Sequence, residues 1–161
     1  MPKFNNILIV GLGMMGGSLC KSIKKNKLSK KISAFDTDQD ALSYALKNRI
    51  INYKVTDLGK MEHPDLIIIC TPLSSYINIV KKILVAVKKS TLVTDIGSSK
   101  GRVHRTITNL FHDSNKCYLS SHPMVGSEKS GVKFNRKDMY KNKVVFILSL
   151  IHISEPTRRP I

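Results

Sequence analysis

The chain holds only three cysteines in 161 residues, Cys20, Cys70 and Cys117, odd in number and far apart. That excludes a disulfide framework, and the lack of any Cys-x-x-Cys pair argues against a zinc site. Such free thiols fit a reducing cytoplasm. No apolar run is long enough to span a bilayer. Ile7 to Val10 stops at Gly11 and gives no secretory signal, and Val144 to Ile153 is broken by Ser149 and His152. Acidic residues are scarce, 11 against 27 Lys and Arg, for a formal charge of +16. The excess invites a nucleic-acid reading, but its distribution opposes one. Lysines predominate and are strewn along the chain in solvated pairs such as Lys24-Lys25, Lys81-Lys82 and Lys88-Lys89, with no arginine cluster interleaved with aromatics. What remains is a chain 42% apolar, enough for one domain with a real core and too short for two.

Hydrophobic patterning predicts alternating strands and helices. Asn6 to Val10 reads as a buried strand that ends in glycine, and Met15 to Lys25 as a helix with Ser18, Leu19, Ser22 and Ile23 inward. Ile32 to Phe35 is a second strand, followed by a helix over Asp38 to Asn48 with Leu42, Ala45 and Leu46 on one face. Leu66 to Cys70 is a strand stopped by Thr71-Pro72, and Ile77, Val80, Ile83, Leu84 and Val87 mark a helix over Ser74 to Lys88. Thr91 to Thr94, Cys117 to Ser120 and Val144 to Leu148 read as strands, and Arg102 to Phe111 as a helix. Between Asn48 and Pro64 the pattern offers one short strand at Tyr53-Lys54-Val55. This order implies an α/β fold with a mostly parallel sheet covered by helices on both faces.

Gly11-Leu12-Gly13-Met14-Met15-Gly16-Gly17 is a G-x-G-x-x-G fingerprint between a strand and a helix, the context that a dinucleotide site requires. Gly11 permits the tight turn, Gly13 admits the pyrophosphate, and Gly16 lets the helix pack against the sheet. Helix N-terminal N–H groups then hold the phosphates. Asp36 closes the second strand 20 residues after Gly16, where a carboxylate accepts hydrogen bonds from ribose hydroxyls. A carboxylate there repels a 2′-phosphate and no arginine follows it, so the expected cofactor is NAD. Asp36 could instead cap the next helix, although Thr37 or Asp38 could cap it equally well. The doubly wound, Rossmann-like fold is the expected class.

Loops after the later strands should open at the same sheet edge. They are Thr71-Pro72-Leu73, Asp95 to Lys100, and Ser121-His122-Pro123-Met124, the last continuing through Gly126 to Gly131. Residues with small or permissive backbones surround His122, which suits a binding loop, and histidine can exchange a proton near neutral pH. With these pieces in place, the chain resembles the prephenate and arogenate dehydrogenases of tyrosine biosynthesis. The matching segments are Gly-Leu-Gly-Met-Met-Gly-Gly-Ser-Leu from Gly11, Asp-Leu-Ile-Ile-Ile-Cys-Thr-Pro-Leu from Asp65, Thr-Asp-Ile-Gly-Ser-Ser-Lys from Thr94, and His-Pro-Met-Val-Gly-Ser-Glu-Lys-Ser-Gly from His122. The resemblance implies oxidative decarboxylation of prephenate or arogenate with NAD, His122 acting as base and Ser98 binding the same substrate hydroxyl. A β-hydroxyacid dehydrogenase shares the first motif but lacks the His-Pro-Met segment, and a non-catalytic NAD-binding module is a further alternative. The expected cofactor-binding residues are Gly11, Gly13, Met14, Met15, Gly16, Asp36, Thr71, Pro72 and Asp95. Met14, Met15 and Met124 read as packing and cofactor-lining residues. Lys100 is assigned no catalytic role, and Glu128 reads as solvated. His122 could alternatively cap a strand or turn, and Ser98 could cap the following helix. No metal site is expected.

Leu148 to Arg158, Leu-Ser-Leu-Ile-His-Ile-Ser-Glu-Pro-Thr-Arg, resembles the conceptual translation of a transposase-based sequencing adapter. The expectation is a native NAD-binding domain over residues 1–147 and a non-native tail over 148–161. Family resemblance also implies a helical C-terminal domain, absent from this chain, that forms a homodimer and completes the substrate pocket.

Overall fold

The computed structural model describes residues 1–99, 101–125 and 130–148. The readings of Lys100, Gly126 and Glu128, and of the tail beyond Leu148, lie outside them. Strand β1 (Phe4–Val10) runs through the middle of the molecule, and Ile7 to Val10 are each at most 1% exposed. Because strand side chains alternate, this run feeds two cores at once. Ile7 and Ile9 join Cys20, Ile23, Ile32, Leu42 and Ala45 on one face, while Leu8 and Val10 join Ile67, Ile69, Val80, Ile83, Ile107 and Phe111 on the other. Each fully buried aliphatic side chain contributes about 1.5–3 kcal/mol of transfer free energy, so both faces of the sheet must be covered by helices.

Helices α1 (Met14–Lys25) and α2 (Gln39–Lys47) supply buried residues to the first core, and α3 (Tyr76–Ala86) and α4 (Arg102–Asp113) to the second. The remaining strands are β2 (Ser29–Phe35), β3 (Tyr53–Lys54), β4 (Leu66–Ile69), β5 (Leu92–Asp95), β6 (Cys117–Pro123) and β7 (Val145–Leu148). They form one sheet in the order β3-β2-β1-β4-β5-β6-β7. All neighbours are parallel except β6 and β7. The order reverses between β1 and β4, which makes that point, at the strands' carboxyl ends, the expected ligand crevice of a doubly wound sheet. Among the described residues no helix is long and apolar enough to cross a membrane, and no cluster of His, Cys, Asp and Glu could hold a metal.

Differences from the sequence reading have local causes. In α2, Ala41, Leu42 and Ala45 are buried but Leu46 is 39% exposed, because a step of 100° carries it off the core face. Asp38 caps this helix by accepting from the N–H groups of Asp40 and Ala41 at 2.9 and 3.0 Å. Leu73–Ser75 form a 3-10 turn, so α3 starts only at Tyr76. The largest difference concerns β6, which continues three residues past Ser120 because antiparallel β7 offers it hydrogen-bonding partners. Ser121 and His122 therefore stand on a strand, with His122 opposite Phe146, and not on a loop. Strand β7 is exposed from Val145 (49%) to Leu148 (41%).

Candidate active site

The glycine loop is shaped by three different demands. Gly11 adopts φ +100°, and a Cβ there would lie 2.8 Å from Thr71 Cγ2 and 2.9 Å from the Cys70 carbonyl carbon. It thus combines a left-handed turn with close passage beneath β4. A Cβ on Gly16 would lie 1.9 Å from the Gly11 oxygen, so Gly16 sets the contact of α1 with the loop. A Cβ on Gly13 would meet nothing within 4 Å among the described residues. Gly13 is the N-cap of α1, with no side-chain cap and no acidic residue in the first turn. Its emerging N–H groups and the helix dipole therefore favour an anion above Gly13.

Asp36 holds this loop from the side. One carboxylate oxygen accepts from the Leu12 N–H at 2.5 Å and the other from the Asp38 N–H at 2.8 Å. Capping of α2 falls to Asp38, which leaves Asp36 beside the loop. Asp36, Gly11, Gly13, Thr71 and Pro72 line a cavity of about 420 Å³. Its far wall is a polar stripe of α3 and the turn before it: Ser74, Ser75, Asn78 and Lys82. The sequence reading missed these four, although their spacing of three and four residues after Thr71-Pro72 is the signal that would have found them.

A second cavity of about 510 Å³ meets the first at Gly13, Cys70, Thr71 and Pro72. It is lined by Met14, Met15, Tyr76, Ser98 and His122, together with Val125, Ser130 and Gly131 from the segment that follows His122. His122 Nδ1 and Thr71 Oγ1 are both buried without a hydrogen-bond partner among the described residues. Buried polar atoms of this kind are costly unless something satisfies them. Burial, with the Asp95 charge adding to it, pushes the Tyr76 phenol far up, so that hydroxyl stays protonated at neutral pH. Burial likewise raises the Cys70 thiol, which remains neutral where the two cavities meet.

Three positions lie off both cavities. Asp95 lines neither cavity and is only 2% exposed; its carboxylate lies beneath the site, engaged by protein donors. Gly16 is buried against Gly11 and lines neither cavity. Met124 is 53% exposed and lines neither cavity, because strand alternation turns it away from the side of His122.

The donor set fits a dinucleotide. It comprises an open cradle at Gly13, uncapped helix N–H groups, an orphaned Thr71 hydroxyl and a carboxylate at the end of β2. Residues 19–151 match the family model described as prephenate dehydrogenase, nucleotide-binding domain. The chain belongs to the prephenate dehydrogenase family. Within this family, the prephenate dehydrogenase of Lactococcus lactis is 33% identical over 137 residues, covering 84% of this chain and 38% of the relative. That of Bacillus subtilis is 29% identical over 140 residues, covering 86% and 38%. A crystal structure of prephenate dehydrogenase from Aquifex aeolicus, in complex with hydroxyphenyl propionate and NAD+, superposes with a TM-score of 0.83 at 33% identity, covering 90% of this chain and 50% of that one. The chain thus spans half the length of these relatives or less. The match to the family model starts at Leu19, so it rests on the part that bears Ser98 and His122 and not on the glycine loop.

Proposed function

We propose that this domain binds NAD+ and supplies two reacting groups for the oxidative decarboxylation of prephenate to 4-hydroxyphenylpyruvate, or of arogenate to tyrosine. The observation that carries the reading is the shared wall of the two cavities. The cavity lined by Ser98 and His122 shares Gly13, Cys70, Thr71 and Pro72 with the cavity lined by Asp36. A dinucleotide laid over the glycine loop would have its adenosine ribose at Asp36 and its nicotinamide on the side of His122.

NAD+ bound in this way would supply the hydride acceptor for the substrate carbon that bears the hydroxyl. His122 takes the hydroxyl proton as that carbon is oxidised, a role suited to an imidazole in a half-buried position. Ser98 stands on the loop after β5 and orients the same hydroxyl toward His122. Loss of carbon dioxide then sends its electron pair into the ring, and the proton held on His122 returns to the phenolic oxygen. Met14 and Met15 present polarizable side chains to the cavity wall.

We place the catalytic unit in the cytoplasm, with a small-molecule substrate and no nucleic-acid partner. The length of its relatives supports a unit longer than this chain, and to the remainder we assign a domain that completes the substrate pocket and forms a homodimer. The division into a domain over 1–147 and a foreign tail over 148–161 belongs to the same proposal. Calorimetric titration with NAD+ and NADP+, paired with NADH absorbance on prephenate, arogenate and a simple hydroxyacid, tests it. Weak NAD+ binding with negligible turnover is expected from residues 1–161 alone. Robust NADH production from prephenate by this chain would show that the further domain is dispensable, and failure to bind NAD+ at all would refute the cofactor assignment.

A further inference from the structure

The β5–β6 ladder is shorter than the strands it joins. Backbone pairing covers Leu92 to Thr94 against Cys117 to Leu119 and goes no further. From Ser120 to Pro123, β6 is paired with β7 instead. The segment that carries His122 is therefore held on its β5 side by side chains. Thr94 Oγ1 donates to the Leu119 carbonyl at 2.6 Å, and Ser121 Oγ donates to the Asp95 carbonyl at 2.6 Å. The other ties converge on the buried Asp95 carboxylate. Oδ1 accepts from the Tyr118 hydroxyl at 3.0 Å, the Ser120 hydroxyl at 3.1 Å and the Ser121 N–H at 3.2 Å. Oδ2 accepts from the Gly97 N–H at 3.0 Å.

We propose that Asp95 is a positioning residue that sets the separation of Ser98 and His122, one carboxylate oxygen holding the strand of the base and the other holding the loop of the hydroxyl. Gly97 immediately precedes Ser98, and Ser121 immediately precedes His122. Tyr118, Ser120 and His122 share one face of β6 by strand alternation, so a tie on the first two fixes the face from which the imidazole projects. A carboxylate that accepts from both sides takes the place of ladder bonds that the backbone does not make there. Space can then open between β5 and β6 without leaving the Ser121 amide unsatisfied. The inference deepens the assignment of Ser98 and His122 as the reacting pair and rests on it.

The two oxygens can be separated chemically. In Asp95→Asn one oxygen remains, and three donors from β6 converge on the Oδ1 position. The amide therefore keeps its oxygen toward β6 and turns its NH2 toward the Gly97 N–H, donor against donor. Nitrogen-15 and carbon-13 NMR of the whole chain reads both sides. Asp95→Asn is expected to speed hydrogen exchange at the Gly97 amide at least tenfold and to shift Ser98, while the Ser121 amide and the His122 ring resonances hold and NAD+ affinity stays within twofold. Ser120→Ala should do the reverse, moving the His122 ring resonances and sparing Gly97. If Asp95→Asn moves neither segment, or disturbs both together with core residues such as Ile107, the proposal is overturned. Should that variant fail to fold, Ser120→Ala and Tyr118→Phe decide, and unmoved His122 resonances in both overturn it. None of these readouts needs turnover, so they stand apart from the dehydrogenase reading, which the NADH assay tests alone.

Discussion

Gly13 and Gly16 stand three residues apart in one motif, and the structure predicts opposite outcomes for the same substitution. In Gly16→Ala the new methyl would start 1.9 Å from the Gly11 oxygen and 3.1 Å from Ile9 Cγ2. An ordinary C···O contact is about 3.3 Å, so α1 would have to retreat by more than about 1 Å from a backbone atom that cannot rotate away. Overpacking on that scale costs about 1–3 kcal/mol or more, which lowers the melting temperature by roughly 2–12 °C in a domain of this size. Gly13→Ala meets nothing within 4 Å among the described residues, and its φ of −63° and ψ of −168° suit alanine. The poorer N-cap and the smaller unfolded-state entropy are each worth about 0.5–1 kcal/mol with opposite signs. Melting should therefore shift little. The methyl would instead occupy the space over which the pyrophosphate must pass, and NAD+ affinity should fall at least tenfold, about 1.4 kcal/mol. Thermal melts and NAD+ calorimetry on the two variants decide. A stable Gly16→Ala, or a Gly13→Ala with undiminished NAD+ affinity, would refute the division of labour within the loop.

Asp36→Ala removes the acceptor for the Leu12 and Asp38 amides and the repulsion toward a 2′-phosphate, so NAD+ should bind about tenfold more weakly and the ratio of NAD+ to NADP+ affinity should narrow. An unchanged ratio in paired titrations would clear Asp36 of any part in cofactor choice. His122→Asn should leave NAD+ affinity within twofold, and in a form with the full length of its relatives it should cut prephenate turnover by roughly 10²–10⁴-fold; retained activity would remove His122 from the mechanism. Burial pushes the Cys20 thiol up to about 12, so above pH 9 the unfolded chain releases that proton while the folded chain keeps it. The stability is thus fully present below pH 9 and falls as pH rises toward 12, with a slope of about 1.4 kcal/mol per pH unit per thiol. Cys70 adds in the same sense, and so, above pH 10, do Tyr76, Tyr118 and Tyr140. Urea unfolding from pH 8 to 11 should show the decline, and Cys20→Ala should flatten it; an unflattened slope would count against the buried thiol as its source.

The parts of the fold legible in the sequence are those where a residue's own covalent character decides the outcome. Ile7 to Val10 must be buried on both faces because four consecutive aliphatic residues point alternately to each. Gly11 must be glycine for its φ, and the short strand at Tyr53-Lys54 is visible from its β-formers. Asp36 was legible because its place at the end of a strand and its distance from the glycine loop both follow from chain geometry. What escaped depends on partners distant in sequence. Met15 is pinned by the Tyr140 hydroxyl, which donates to its carbonyl at 3.1 Å, and Ser18 accepts from the Arg136 N–H at 2.9 Å. Gly17, an apparent surplus glycine after the fingerprint, makes room for Asn135, whose Cβ would stand 3.1 Å from a Cβ at that position. No periodicity within α1 reports a neighbour 118 residues away.

The same distinction separates two positions at the site, His122 and Asp95. The loop reading of His122 rests on the small and permissive residues around it, but a strand needs only partners for its backbone groups, and β7 provides them from more than twenty residues later. Asp95 was assigned to the cofactor because it follows a strand at the correct edge, which is also where Asp36 lies. The two carboxylates differ in their neighbours. Asp36 meets two backbone amides and an open cavity, whereas Asp95 meets hydroxyls of Tyr118 and Ser120 that only the parallel register of β6 brings there. A carboxylate at a strand end is thus ambiguous until the next strand is placed, since a neighbour rich in hydroxyls will bury it and a glycine loop will leave it open to a ligand.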